Sequence, residues 1–337
     1  MTRHACSPMS VLVTGATGFL GGAVARRLAE RGDAVVGTGR DLSAGAALER
    51  DGVRFLPLDL TDADAVHAAA GCDAVVHSAA LAASWGPAAD FWAANVVGTR
   101  HVVEACRRAG TRRLVHISTP SLCFGIGSRT SVSESDPLPD LPTTAYAATK
   151  RVAEALVLAA VRDGLDAVVL RPRAIYGPGD RVVLPRLAAA LRAGRLPRIG
   201  DGQNVASVTY VGTAVDAVLA CLDAPDLSRR LYHVADEEPV RVWDMVDRLA
   251  AALGVPAPTR RLSTRRALAV ASLLEWGTRR AGIHREPPLT RYGVSVLAHT
   301  QTLDVSALRD DFGIVGENNV ARGLEEWVEK AVVHPKD

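Results

Sequence analysis

Short apolar runs alternate with amphipathic stretches along the first half of the chain. Runs rich in valine, leucine and alanine predict buried strands, and stretches whose apolar residues recur every three or four positions predict helices. We predict strands over residues 11–14, 34–37, 53–57, 73–76, 113–118 and 166–171, and helices over 19–31, 64–70, 90–109 and 145–163. Alternating strands and helices indicate an α/β fold with a doubly wound parallel sheet, whose ligand crevice lies at the carboxyl ends of the strands.

The second half of the chain has a less regular pattern. Prolines interrupt it at Pro178, Pro185, Pro197, Pro256 and Pro258, and a proline ends or kinks a helix. This irregularity predicts a smaller lobe assembled from separate insertions, without a clean linker near residue 170.

Composition and charge exclude several classes of protein. A formal net charge of +2 gives no electrostatic basis for binding nucleic acid. Five scattered cysteines lack C-x-x-C spacing, and no His, Cys and Asp residues have metal-ligand spacing, so we expect no metal and a reducing, cytoplasmic location. No apolar run approaches the roughly 18 residues of a membrane span. Residues 1–10 lack the apolar stretch of a secretory signal.

The first predicted strand runs into a glycine-rich turn and then a helix. Gly15 allows a sharp turn, Gly18 allows the backbone to approach a pyrophosphate, and Gly21 allows close packing of helix on strand. Free N–H groups at the helix start then bind the anion. We predict a dinucleotide site with contacts from Gly15, Thr17, Gly18, Phe19, Leu20 and Gly21.

The end of the second predicted strand indicates which dinucleotide binds. Gly39 stands where an NAD site usually places an acidic residue for the ribose hydroxyls. Arg40 follows and can pair with a 2′-phosphate, which favours NADP(H). Asp41, one residue later, keeps NAD(H) open as the alternative.

Tyr146 and Lys150 form a candidate acid/base pair. Only three of the 39 Lys and Arg residues are lysines. A lysine in such an arginine-rich chain indicates a position where arginine cannot replace it. Positions i and i+4 lie on one face of a helix, and a nearby cation lowers the pKa of a phenol. We therefore predict that Tyr146 is a general acid/base whose pKa is lowered by Lys150. An exposed tyrosine with a solvated lysine is the alternative.

Further short motifs follow the glycine turn in a fixed order. They are Asp59-Leu60, His77-Ser-Ala-Ala80, Asn95-Val-Val-Gly-Thr99, Ser118-Thr119, the Tyr146–Lys150 pair and Arg171-Pro-Arg-Ala-Ile-Tyr-Gly-Pro-Gly-Asp180. With these motifs the sequence resembles the extended short-chain dehydrogenase/reductase family over essentially its whole length. Within that family, the chain is most similar to the branch of 3β-hydroxysteroid dehydrogenases and bacterial 2-alkyl-3-oxoalkanoate reductases.

The resemblance implies how the chain is divided. It implies an NAD(P)-binding Rossmann domain over residues 10–172, to which residues 205–235 return. It also implies a smaller C-terminal substrate lobe over residues 173–204 and 236–330. A homodimer through the predicted helices 90–109 and 145–163 is a further implication.

The resemblance also implies roles for individual residues. Asp59 and Leu60 contact the adenine end of the cofactor, Ala79 and Ala80 line the dinucleotide by their backbone, and Pro172 lies by the nicotinamide. The implied catalytic residues are Thr119, Tyr146 and Lys150. Tyr146 and Lys150 are also implied to contact the cofactor, with Lys150 holding the nicotinamide ribose.

Thr119 aligns with a catalytic hydroxyl that is commonly a serine in the family. Ser118 and Ser121 are the alternatives, because Pro120 interrupts the stretch.

The implied reaction is reduction of a ketone to a secondary alcohol, or the reverse, by an NAD(P)-dependent oxidoreductase. A nucleotide-sugar dehydratase is expected to carry Asp-Glu after its threonine, and this chain does not. A nucleotide-sugar epimerase remains the alternative function, and a non-catalytic dinucleotide sensor is a further one.

Candidate substrate residues are fewer. Arg173 can clamp a carboxylate bidentately, or can form a structural salt bridge. Trp85, Phe91 and Trp92 either line the substrate pocket or belong to the core. Residues 260–291 are basic around the mostly apolar stretch 267–276, which indicates a lid, a packing helix or a membrane-surface contact. These features favour a small apolar substrate: a β-keto acid, a thioester or a sterol-like ketone.

Overall fold

The computed structural model describes residues 8–317 and 319–333, so most of the segment considered for a secretory signal, residues 1–7, lies outside it. Four sheets contain the strands of the described residues. The strands are β1 (Ser10–Thr14), β2 (Ala34–Gly39), β3 (Arg54–Pro57), β4 (Ala74–His77), β5 (Arg113–Ile117), β6 (Arg129–Val132), β7 (Ala167–Pro172), β8 (Ile175–Tyr176), β9 (Arg198–Ile199), β10 (Val205–Ala206), β11 (Thr209–Tyr210), β12 (Leu231–Val234), β13 (Val240–Arg241), β14 (Arg261–Leu262) and β15 (Gln301–Leu303).

Helices connect most of these strands. They are α1 (Phe19–Arg31), α2 (Leu42–Arg50), α3 (Ala63–Ala69), α4 (Ala88–Phe91), α5 (Gly98–Ala109), α6 (Ala145–Arg162), α7 (Val183–Arg192), α8 (Val211–Asp223), α9 (Val242–Ala252), α10 (Thr264–Arg280), α11 (Arg291–Ala298), α12 (Ser306–Phe312) and α13 (Val320–Val333). A π-helical segment over Trp92–Val97 joins α4 to α5, and a 3-10 turn over Pro120–Leu122 follows β5.

The largest sheet has seven parallel strands in the order β3-β2-β1-β4-β5-β7-β12. Helices α1 and α8 pack their apolar sides on one face, and α3, α5 and α6 cover the other. The direction in which strands are added reverses between β1 and β4, where such sheets bind ligands. The predicted α/β fold with a doubly wound Rossmann sheet is confirmed.

The predicted strands and helices of the first half are all present, with ends displaced by one or two residues. The predicted helix over 90–109 is divided by its π-helical segment, which brings Oδ1 of Asn95 within 2.7 Å of the main-chain nitrogen of Leu81. Helix α2 was not predicted, because Gly45 weakens its helical pattern. A Cβ at Gly45 would lie 2.2 Å from the ring of Phe55, so the packing requires glycine there.

A smaller lobe surrounds a second apolar core. Helices α7, α9, α10, α11 and α13 contribute to it, and the fully buried Trp243 lies among their side chains. Its indole nitrogen donates a hydrogen bond to the carbonyl oxygen of Leu297 at 3.0 Å. These helices come from separate segments of the chain, since α8 and β12 between them belong to the core of the large sheet. The exact boundaries of the two lobes stay a prediction.

Candidate active site

The turn between β1 and α1 requires glycine at two positions. Gly15 has a φ of +70°, and a Cβ there would lie 2.7 Å from the main-chain nitrogen of Ala79. A Cβ at Gly21 would lie 2.3 Å from the carbonyl oxygen of Gly15. Gly18 begins α1 without a side-chain cap, which leaves the first main-chain N–H groups for an anion. The turn therefore fits the pyrophosphate of a dinucleotide.

The other predicted residues of this region differ in exposure. Leu20 is buried, whereas Phe19 and Leu60 are half-buried. Thr17 packs against the end of β2, where a Cβ at Gly39 would lie 2.3 Å from the Thr17 hydroxyl oxygen. This close approach explains why position 39 carries no acidic side chain.

Arg40 and Asp59 meet at the ends of β2 and β3. Their nearest side-chain atoms are 3.9 Å apart, and the Arg40 side chain is 75% exposed. Hydrogen bonds from the main chain and hydroxyl of Thr61 lower the pKa of Asp59. Asp41 caps α2, because its Oδ1 accepts a hydrogen bond from the main-chain nitrogen of Ala44 at 3.0 Å. An exposed guanidinium is thus the side chain at this edge that is available to an anion.

A buried asparagine, Asn95, fixes the main chain of the loop that follows β4. The amide of Asn95 binds both main-chain groups of Leu81, accepting at 2.7 Å and donating at 3.3 Å. It also donates to the hydroxyl of Thr149 on α6 at 3.0 Å. Ala79 is half-buried and Ala80 is exposed, so the backbone of this loop lines the crevice next to the glycine turn.

Lys150 is almost completely buried on α6, with 1% of its surface exposed. Its Nζ donates a hydrogen bond to the carbonyl oxygen of Ile117 at 2.6 Å and lies 3.3 Å from Nε2 of His116. Burial lowers the pKa of Lys150 to about 8. The ammonium is therefore fixed against β5, the strand that leads to Thr119.

Tyr146 lies one turn before Lys150, at the start of α6. Burial raises the pKa of Tyr146 to about 12, and a hydrogen bond with Thr119 acts in the opposite direction. The pKa is therefore raised and not lowered, contrary to the sequence prediction. The reason is that the Lys150 ammonium is bound to Ile117, while the surroundings of the half-buried Tyr146 reduce the contact of its phenol with water. Tyr146 consequently keeps its proton through the neutral range.

Hydroxyl groups form a short chain beside Tyr146. The Thr119 hydroxyl donates to Ser121 Oγ at 3.1 Å, and Ser121 Oγ lies 3.3 Å from the hydroxyl of Tyr292. Ser118, the other candidate, donates instead to the buried carboxylate of Glu154 at 2.7 Å. The structure thus places Thr119 and Ser121 together with Tyr146, and directs Ser118 away.

Two buried histidines lie behind the site with ring centroids 5.1 Å apart. His77 is hydrogen-bonded to the hydroxyls of Thr14 and Thr99 at 2.8 and 2.9 Å. Burial lowers the pKa of His77 to about 3 and lowers the pKa of His116 well below its usual value. Both side chains are therefore neutral groups of the packed interior.

The predicted substrate residues lie in different environments. Trp85 lines a cavity of about 230 Å³, which Tyr292 also lines. Phe91 belongs to the core, with 1% exposed, whereas Trp92 is 51% exposed. Arg173 is buried, with 6% exposed, and forms no salt bridge with another described residue.

The apolar stretch 267–276 lies within α10. Ala267 and Ala271 face the core of the smaller lobe, while Val270, Leu273 and Trp276 are exposed. No helix within residues 8–317 and 319–333 is long and apolar enough to cross a membrane. Contact of this face with a membrane surface stays a prediction.

Two residues of the site had no predicted role. Asn95 stood in one of the recognised motifs, but nothing in the motif indicated that its amide holds the loop after β4. Tyr292 lies 171 residues from Ser121 in the chain, so no local pattern could connect them. No group of His, Cys, Asp and Glu side chains in the described part of the chain could hold a metal ion.

Comparisons with known proteins agree with this geometry. The NAD dependent epimerase/dehydratase family matches residues 11–235. A 2-alkyl-3-oxoalkanoate reductase from Stenotrophomonas maltophilia is 38% identical over 326 residues, which cover 94% of this chain and 97% of that protein. A 3β-hydroxysteroid dehydrogenase/decarboxylase (isoform 1) from Arabidopsis thaliana is 30% identical over 299 residues, 85% of this chain and 68% of that protein.

Solved structures share the fold. The UDP-glucuronic acid 4-epimerase from Bacillus cereus, solved in complex with NAD, aligns with a TM-score of 0.77 over 97% of this chain and 100% of its own. Its sequence is 22% identical, so this likeness concerns the fold alone.

Proposed function

We propose that this chain, which belongs to the NAD dependent epimerase/dehydratase family and is an NAD(P)-dependent oxidoreductase acting on CH–OH groups, reduces the keto group of a small apolar substrate with NADP(H). The observation that carries the proposal is the contact between Tyr146 and Thr119, with the Lys150 ammonium fixed behind them on Ile117. The reverse oxidation would use the same groups.

Each residue of the site has its own role in the proposed reduction. A bound nicotinamide supplies the hydride for the carbonyl carbon. Tyr146 donates its proton to the carbonyl oxygen, which completes the alcohol. The Thr119 hydroxyl donates a hydrogen bond to that oxygen while negative charge develops on it. Lys150, whose ammonium is charged below pH about 8 and is bound to the Ile117 carbonyl oxygen, would hold the ribose next to the nicotinamide.

The glycine turn, Asp59, Leu60, the backbone of Ala79 and Ala80, and Pro172 would hold the cofactor. Pro172 ends β7, and β7 pairs with β5 in register, which supports its place beside the reacting end. For the adenosine end, Arg40 is 75% exposed and comes only within 3.9 Å of Asp59 at its nearest atoms, so it can turn to a 2′-phosphate, while Asp41 is engaged as a helix cap. This arrangement favours NADP(H) over NAD(H).

A β-keto acid, a thioester or a sterol-like ketone fits the proposal best. The 38% identical relative is named a reductase of 2-alkyl-3-oxoalkanoates. In this chain, the cavity beside Tyr292 is lined partly by the apolar side chains of Trp85 and Ile283. Turnover of a nucleotide sugar would instead support an epimerase.

The test is an assay of NADPH and NADH oxidation with β-keto acids, thioesters, steroids and nucleotide sugars. We expect turnover with a keto acid, thioester or sterol-like ketone and a lower KM for NADPH than for NADH. Tyr146→Phe should lower kcat by about 1,000-fold while cofactor affinity stays within a few-fold. Wild-type kcat in that variant would contradict the role of Tyr146. A clear NADH preference would contradict the role of Arg40.

We also propose a homodimer in which α5 and α6 of each subunit meet. The two helices already pack against each other on one face of the sheet. Light scattering should give a mass near twice that of the 35.5 kDa chain, and a monomeric mass would contradict the proposal.

A further inference from the structure

Arg173 is a buried cation that has no acidic partner in the part of the chain that the structure describes. Its Nη2 donates to Oε1 of Gln301 at 2.6 Å, and its guanidinium lies 4.3 Å from the ring centroid of Phe124. Its Nε is buried and has no hydrogen-bond partner. Among the described residues, no carboxylate lies within salt-bridge distance of it. Since a buried charge is costly unless it is paired, this arrangement calls for an anion.

Other buried arginines of this chain do have such partners. Arg171, which lies two residues earlier on β7, binds Glu154 through two hydrogen bonds of 2.9 and 2.5 Å. Arg113 binds Asp166 at 2.7 Å. Arg173 therefore departs from a pattern that the rest of the fold follows.

Arg173 lies close to the proposed catalytic groups. Strands β5 and β7 pair with Ile117 opposite Leu170, so the residues after Ile117 and those after Leu170 leave the sheet side by side. The Gln301 amide that accepts from Arg173 also donates to Ser295 of α11 at 3.2 Å, and α11 carries Tyr292 as well. Helix α11 therefore connects the guanidinium to the hydroxyl chain beside Tyr146.

We propose that Arg173 binds the carboxylate of the substrate, so that the substrate is a free 3-oxo acid and not a thioester or a neutral ketone. This inference rests on the proposed function. In a 3-oxo acid one carbon separates the carboxylate from the keto group. A carboxylate on Arg173 would therefore hold the keto group near Tyr146 and Thr119. The guanidinium suits this task because its donors match the two oxygens of a carboxylate.

The first test compares a 2-alkyl-3-hydroxy acid with its methyl ester in the oxidative direction with NADP⁺, since the hydroxy acid does not decarboxylate as the keto acid does. We expect wild-type kcat/KM to favour the acid by about 100-fold. Arg173→Met should remove this preference and change kcat/KM for the ester by less than about threefold. Arg198→Met is the matched control, since Arg198 also lies over an aromatic ring, that of Trp243, in the smaller lobe; it should keep the preference.

Three results would separate the possible failures. Equal losses for acid and ester in Arg173→Met would assign Arg173 a structural role and overturn the inference. A wild-type enzyme that oxidises the ester as well as the acid would overturn it while leaving the proposed function intact. A wild-type enzyme that oxidises neither compound, and reduces no ketone, would remove the proposed function itself.

A second variant tests the site without removing the arginine. Gln301→Glu would place a carboxylate on Nη2 of Arg173, where the Gln301 amide oxygen now lies at 2.6 Å. We expect it to raise the Tm, to lose the preference for the acid and to keep its activity on the ester. As a readout independent of turnover, an unreactive fatty acid should raise the Tm of the wild type but not of Arg173→Met or Gln301→Glu. An equal rise in all three proteins would contradict the site.

Discussion

Lys150 Nζ donates a 2.6 Å hydrogen bond to the main-chain carbonyl of Ile117, two residues before Thr119. This bond ties the middle of α6 to the end of β5, so the ammonium, the Tyr146 phenol and the Thr119 hydroxyl keep fixed relative positions. Burial of the ammonium in the interface between sheet and helix lowers the pKa of Lys150 to about 8. Lys150 therefore both connects α6 to β5 and supplies a positive charge.

Replacing Lys150 with arginine tests whether charge alone is sufficient. A guanidinium is planar and larger than an ammonium, and Lys150 is almost completely buried against Ile117 and His116, so the larger group would have to displace its neighbours. We expect Lys150→Arg to lower kcat for ketone reduction by about 100-fold or more, measured by NADPH absorbance. The matched control is Arg151→Lys, the reverse exchange on the next residue, which should retain activity. Near wild-type kcat in Lys150→Arg would show that any cation serves.

The pH dependence of reduction should follow Lys150 and not Tyr146. With a pKa of about 12, Tyr146 stays protonated and able to donate well above neutrality. The Lys150 ammonium loses its proton as the pH rises through about 8. We expect kcat/KM for ketone reduction to fall above about pH 8, and the same descent to be absent from the residual activity of Lys150→Met. If kcat/KM of Lys150→Met still falls above about pH 8, a group other than Lys150 causes the decrease.

The main sheet could be predicted from the sequence because its central strands contain short apolar runs, such as residues 11–13, that are completely buried. The glycine turn could also be predicted, since its steric demands appear directly as glycines. The direction of the pKa shift at Tyr146 could not, because it depends on burial and on where the Lys150 ammonium points. A spacing of four residues places two side chains on one helix face but does not say which atoms they bind.

The environment of Arg173 is a second feature that the sequence alone could not predict. The sequence left open whether this side chain forms a salt bridge or binds a carboxylate. That distinction depends on Gln301 and Phe124, which lie 128 and 49 positions away and reach Arg173 only through the fold. No local pattern contains this information.

The choice of catalytic hydroxyl can be tested by removing each candidate in turn. Thr119→Val keeps the shape of the side chain but loses the hydroxyl that contacts Tyr146, so we expect kcat to fall by about 100-fold. Thr119→Ser should retain most of the activity. Ser121→Ala should lower kcat by less than about tenfold, because Ser121 reaches Tyr146 only through Thr119. A larger loss in Ser121→Ala than in Thr119→Val would exchange the two roles.

Alanine at Gly21 in α1 should weaken cofactor binding, whereas alanine at Gly32, the C-cap of the same helix, should not. Gly21→Ala places a Cβ 2.3 Å from the Gly15 carbonyl oxygen, which is backbone and must shift. We expect it to weaken NADPH binding at least about tenfold and to lower the free energy of unfolding by about 1–3 kcal/mol. Gly32 ends the same helix with a φ of +96° and has no atom within 4 Å of a Cβ. Gly32→Ala should therefore cost only about 1 kcal/mol of stability and leave NADPH affinity unchanged. Calorimetric titration with NADPH, together with urea unfolding, checks both variants. If they weakened binding equally, general destabilisation, and not the shape of the turn, would explain the loss.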